Sequence, residues 1–176
     1  MTRSNGLGRA DVARCWASFA SLGAGLVHLA VVQEHLEEWW LYGIFFAVIG
    51  AAQIGWALVA LAQDRAPFLR VVMYGNLAVV ALWAVTRTVG LPVGPEPWTA
   101  EAAGRADVLS SLLEVAVAGA LLVAARSASR QAPAGRPVGR VVALLFAGAL
   151  AVSAVTTPAL AATPAGGHAH HHFESR

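Results

Sequence analysis

Three ionisable side chains, His28, Arg87 and Glu114, sit inside stretches of this 176-residue chain that are otherwise apolar. A charge at bilayer depth is costly, so such groups turn towards a protein interior or water and mark candidate functional sites. A carboxyl and an imidazole brought together in an apolar setting can share and pass a proton. A guanidinium at the same depth needs a carboxylate, and Arg87 can find one in Asp107 or Glu114. Such a pair either locks two helices or takes part in binding.

Histidine also suggests metal chemistry. The tail contains His168, His170, His171 and His172, a His-rich tract of the kind that ligates Cu(II), Zn(II) or Ni(II). Ala169 interrupts it and Phe-Glu-Ser-Arg follows, which favours a native feature over a purification tag. His28 and His35 lie on one helix face two turns apart, too far to share an ion unless Glu34, Asp107, Glu114 or the tail completes the site. The plainer reading makes His28 an interhelical hydrogen-bond partner and His35 an interfacial residue. Bis-His haem is disfavoured, because both membrane-helix histidines fall on one helix and no C-x-x-C-H is present. Two Met and one Cys argue against Cu(I) transport. Without a P-loop, GxSxG, HExxH or dinucleotide fingerprint, enzyme activity is not the default.

The elements that position these residues follow from composition. Hydrophobic residues make up 57% of the chain and charged residues 12%, with a mean hydropathy of +0.62; soluble domains carry about 25% charged residues. The fold class is an all-α membrane protein. Five transmembrane helices are expected at 15–33, 39–63, 70–87 (extended by arginine snorkelling to 67–89), 108–125 and 141–162. The first reads as a span and not as a cleaved leader, because it runs through His28 to Gln33 without a small-residue cleavage site. Residues 1–13 form an N-terminal segment, 14–126 a four-helix bundle, and 127–139 a polar linker with Pro133 and Pro137. Residues 140–163 hold a peripheral fifth helix, and 164–176 the His-rich tail. The Pro-rich stretch from Gly90 to Thr99 cannot be helical throughout.

Arginine placement predicts orientation. Arg3, Arg9, Arg14, Arg65, Arg70, Arg126, Arg130, Arg136 and Arg140 fall on one side, and Arg87, Arg105 and Arg176 on the other. The cytoplasmic side carries the excess, so the N-terminus is expected inside and the C-terminus outside. Trp39, Trp40, Tyr42 and Trp98 then mark the outer boundary as an aromatic belt. The pI of about 9.3 comes from arginines scattered at segment ends, which speaks against a nucleic-acid partner. All twelve basic residues are Arg, a bias expected of a GC-rich bacterial genome and therefore of an inner-membrane location. The lone Cys15 excludes an intramolecular disulfide.

Helical periodicity orders the polar residues into stripes. Ser18, Ser21, Gly25, His28 and His35 share one face of the first span; Tyr42, Phe46, Ile49 and Gln53 one face of the second; Asn76, Trp83 and Arg87 one face of the third. On the fourth, Asp107, Ser110, Ser111 and Glu114 occupy i, i+3, i+4 and i+7. These stripes cannot face lipid with their polar groups unpaired, so they are expected to face one another. The small-residue spacings Ala20/Ala24, Ser21/Gly25, Ala51/Gly55 and Ala116/Ala120 would allow close backbone approach. The expected site combines His28, Gln53, Asn76, Arg87, Asp107 and Glu114 in a polar pocket open to the outside and closed by apolar packing below.

The run Val27-His28-Leu29 with His35 and Trp39-Trp40, the segment from Asn76 through Trp83 and Arg87 to Gly90-Leu-Pro-Val-Gly-Pro95, and the pair Asp107/Glu114 resemble small multi-pass membrane proteins of GC-rich bacteria. The resemblance covers the first four spans; it implies a helical bundle and no specific activity. Three functions stay open: extracytoplasmic binding or handling of a transition metal, a structural or assembly subunit with a membrane-protein partner or second copy, and an enzyme acting on a lipid or quinone through His28 and Glu114.

Overall fold

The structure, a computed structural model, describes residues 8–62 and 65–128. All regular elements among them are helical: α1 (Arg9–Ala30), α2 (Val32–Glu38), α3 (Trp40–Ala62), α4 (Ala66–Thr88) and α5 (Arg105–Ala128). The linker, the expected span at 141–162 and the histidines His168, His170, His171 and His172 lie outside the described residues. Three helices, α3, α4 and α5, are long and apolar enough to cross a membrane, and a fourth crossing is added if α1 and α2 form one bent span. The protein is a multi-pass membrane protein whose described regular elements are all helices.

The first expected span differs most from its sequence reading. It begins at Arg9 instead of Cys15, because Arg14 pairs with Asp11 one turn back and the Ser18 hydroxyl donates to the Arg14 carbonyl at 3.0 Å, which carries the helix into its polar start. It also stops early. At Val31 the backbone leaves helical geometry (φ −95°, ψ 0°), and α2 departs at 43° to the line of α1. Gln33, Glu34, Glu37 and Glu38 populate α2 and no residue of it is buried. A helix with three carboxylates cannot continue down the apolar path of α1, so it turns aside.

Pro67 opens the first turn of α4, where its missing N–H costs nothing. Beyond Thr88 the chain turns through Gly90 at φ +79°, and a Cβ there would lie 2.5 Å from the carbonyl oxygen of Thr99. Only glycine fits that close approach. Residues 89–104 contain no helix, as their prolines require. The Glu101 N–H donates to the Thr86 carbonyl at 3.0 Å, folding the segment back onto the end of α4. Trp40 and Trp98 are exposed at this same end of the bundle.

In space α1 lies between α3 and α5, with α4 packed on α5 and α2 on the start of α3. The central position suits its sequence: Ala17, Ala20, Ser21, Ala24 and Gly25 keep its faces narrow and are all buried. The spacing Ser21/Gly25 meets α3, and the Ser21 hydroxyl donates to the Gln53 carbonyl at 3.0 Å. By contrast Ala51, Gly55 and Ala116 are exposed among the described residues, while Ala120 packs against the apolar cluster. An apolar cluster of Ala17, Ala20, Trp56, Ala57, Ala60, Val117 and Leu121 fills the half of the bundle away from the 89–104 segment.

Candidate functional site

Each of the four long helices brings one polar side chain to a common level. His28 comes from α1, Gln53 from α3, Asn76 from α4 and Glu114 from α5, with residue exposures of 4%, 6%, 5% and 1%. Glu114 is the hub. Its Oε1 lies 2.9 Å from His28 Nε2 and accepts a hydrogen bond from Gln53 Nε2 at 2.8 Å. Gln53 Nε2 also reaches Asn76 Oδ1 at 3.5 Å, the long limit of such a bond, and Asn76 Nδ2 donates to the Val72 carbonyl at 2.9 Å.

The His28–Glu114 contact has two equivalent descriptions. With Glu114 ionised, His28 Nε2 carries the hydrogen and donates; with Glu114 protonated, the carboxyl donates to a bare Nε2. One proton on this axis satisfies both groups, and its position sets the charge of each. The amide of Gln53 holds Oε1 in place in the first state. Phe46 walls the site on the α3 side, its ring centroid 5.4 Å from that of His28.

A second polar layer lies nearer the 89–104 segment. Arg87 Nη2 donates to Asp107 Oδ2 at 2.6 Å, and Nη1 pairs with Glu101 and reaches the Thr86 hydroxyl at 3.1 Å. Asp107 also accepts the Gly104 N–H at 3.0 Å. Glu101 is 41% exposed and Asp107 partly so, which makes this layer water-accessible where the quartet is sealed.

Against the sequence reading, the six expected residues thus divide into two layers. His28, Gln53, Asn76 and Glu114 meet; Arg87 and Asp107 meet each other; Arg87 does not bond Glu114. The quartet is enclosed on all sides and not an open pocket. Glu101 was missed, since in the sequence it is only one more acid on the loop side; the backbone bond to Thr86 brings it to Arg87. His35 is turned to Phe46, with ring centroids 4.1 Å apart, and its Nδ1 donates to the Val31 carbonyl at 2.8 Å. Glu34 is exposed on α2. His28, His35 and Glu34 are therefore not brought together, and among the described residues no group of three or more His, Cys, Asp or Glu could hold an ion.

No known protein family matches this chain, and no curated protein or solved structure is found to be similar to it.

Proposed function

We propose that this protein binds a proton within the membrane, at the His28–Glu114 pair, and that the bundle responds to the state of that pair. The observation that carries the reading is the 2.9 Å contact between His28 Nε2 and Glu114 Oε1, sealed from solvent and braced by Gln53. The pair ties α1 directly to α5, so adding or removing a proton changes how strongly the central helix is held. The full reading is a five-helix protein of a bacterial inner membrane with its N-terminus inside. In support, the described arginines Arg9, Arg14, Arg65, Arg70 and Arg126 gather at the bundle end away from the 89–104 segment.

A second reading is a structural or assembly subunit in which the same groups merely fix helix packing. It is favoured by Arg87, which ties α4 to α5 and to the loop at once. Infrared titration of the full chain in lipid vesicles separates the two. A protonated-carboxyl band that grows as pH falls, vanishes in Glu114→Gln and moves in His28→Phe is the result expected of a proton-binding site. A Glu114 that holds one protonation state wherever the fold survives assigns the pair to packing alone.

A further inference from the structure

Four buried side-chain atoms have no hydrogen-bond partner among the described residues: Gln53 Oε1, Trp56 Nε1, Trp83 Nε1 and Arg87 Nε. Their placement is ordered. Gln53 and Trp56 are one turn apart on α3; Trp83 and Arg87 are one turn apart on α4, on the face that carries Asn76. Because Asn76 meets Gln53, the two pairs continue the quartet in opposite directions along the bundle. Trp83 lies about 10 Å and Arg87 about 16 Å from Asn76 towards the 89–104 segment. Across from them on α5, Asp107, Ser111 and Glu114 share one face, with Asp107 bonded to Arg87 and Ser111 buried between the two acids.

The two directions differ in their surroundings. Trp56 is embedded in the apolar cluster with Ala17, Ala20, Val117 and Leu121. The buried hydroxyl farther along, Ser18, is already bonded to the Arg14 carbonyl of its own helix. In the other direction the unpaired indole and guanidinium N–H groups adjoin the Arg87–Asp107–Glu101 layer, which water reaches. Buried donors are rarely left without an acceptor; the indole of Trp56 is walled by apolar side chains, whereas Trp83 and Arg87 adjoin a layer from which water can reach them.

Resting on the proton-binding reading, we propose that the seam between α4 and α5 is a one-sided water path, lined by Arg87, Trp83 and Ser111, through which protons reach Glu114 from the side of the 89–104 segment. The apolar cluster around Trp56 closes the other side. Loading is a simple transfer: a hydronium in the path gives its proton to the Glu114 carboxylate and remains as water, and unloading is the reverse. At the mouth one guanidinium faces the two carboxylates of Glu101 and Asp107, a net negative charge that draws protons in. The groups facing Glu114 itself are His28 from α1 and the neutral amides of Gln53 and Asn76 from α3 and α4.

The test uses the full chain in lipid nanodiscs with nitrogen-15 tryptophan, following exchange of the indole N–H groups into D2O, with Trp83→Phe and Trp56→Phe to assign the signals. Trp83 is expected to exchange about tenfold or more faster than Trp56; equal protection of the two, or faster exchange at Trp56, overturns the path. A second measurement fills the seam with Ser111→Leu and follows protonation of Glu114 after a pH jump. Slowing by about tenfold with an unchanged final extent supports the path. An unchanged rate overturns it and leaves proton binding at Glu114 standing. If wild-type Glu114 does not titrate at all, the proton-binding reading falls, and indole exchange still decides whether the seam is wet.

Discussion

Gly25 of α1 and Gly50 of α3 touch backbone to backbone: a Cβ on Gly25 would lie 2.8 Å from the Gly50 carbonyl oxygen, and one on Gly50 2.9 Å from that of Gly25. Neither residue can carry a methyl group without separating the helices. Gly25→Ala and Gly50→Ala are each expected to destabilise the protein by about 1–3 kcal/mol. Gly55, with nothing within 4 Å of its ideal Cβ, is the control; Gly55→Ala is expected to be neutral or to stabilise by about 0.5–1 kcal/mol. Denaturant unfolding in detergent micelles measures all three, and equal losses at positions 25 and 55 would contradict the close approach.

The buried pair predicts a coupling energy. His28→Phe and Glu114→Leu each remove one side of the contact, and Glu114→Leu also strands the Gln53 amide. Interhelical hydrogen bonds in membranes are worth about 0.6–2 kcal/mol. The double variant is therefore expected to be more stable than the sum of the single losses by an amount in that range. Strict additivity in the double-mutant cycle would mean that the two groups do not interact.

Arg87 should not tolerate lysine. Its fork spans Asp107 and Glu101, and a lysine ammonium cannot hold two carboxylates in that geometry. Arg87→Lys is expected to loosen α4 from α5 and to make the 89–104 segment easier to cut with protease. Of the two acids, Glu101→Gln is expected to cost less than about 1 kcal/mol because the group is exposed. Asp107→Asn is expected to cost more, since Asp107 also accepts the Gly104 N–H. The order of the two in unfolding experiments checks the assignment.

Gly90 predicts a loop variant with a local effect. Alanine there would adopt φ +79° and crowd the Thr99 backbone, a strain of about 1–3 kcal/mol. Gly90→Ala is expected to open the turn and speed protease cleavage between residues 91 and 99, while the His28–Glu114 infrared signal stays in place. Loss of that signal together with the loop would show that the two layers are not independent.

The sequence made the polar level readable because helical periodicity is strict. Once Ser21 and His28 fall on one face, and Asp107 and Glu114 on another, the cost of polar groups in lipid requires those faces to meet inside the bundle. Depth was readable for the same reason, since rise per residue puts Glu114 about 10 Å from Asp107. Tertiary choices were not. Whether Arg87 bends towards Glu114 or Glu101 depends on where the 89–104 segment returns, which a turn at Gly90 and one backbone bond decide. The break at Val31 was hidden because its neighbours are apolar; the carboxylates that force the turn come only later, from Glu34 onward. Which helix is central could not be read from hydropathy either, since α1 is packed for narrowness and is not the most oily of the four.

The central place of α1 has a consequence for biogenesis. Among the described helices it is the first to leave the ribosome, yet its partner carboxyl lies 86 residues downstream. A nascent chain therefore holds the imidazole of His28 in the bilayer, or against an insertion chaperone, until α5 has been translated and threaded beside it. Among the described helices a late insertion completes an early one, and a ribosome stalled before residue 114 would display α1 without the carboxyl that completes it.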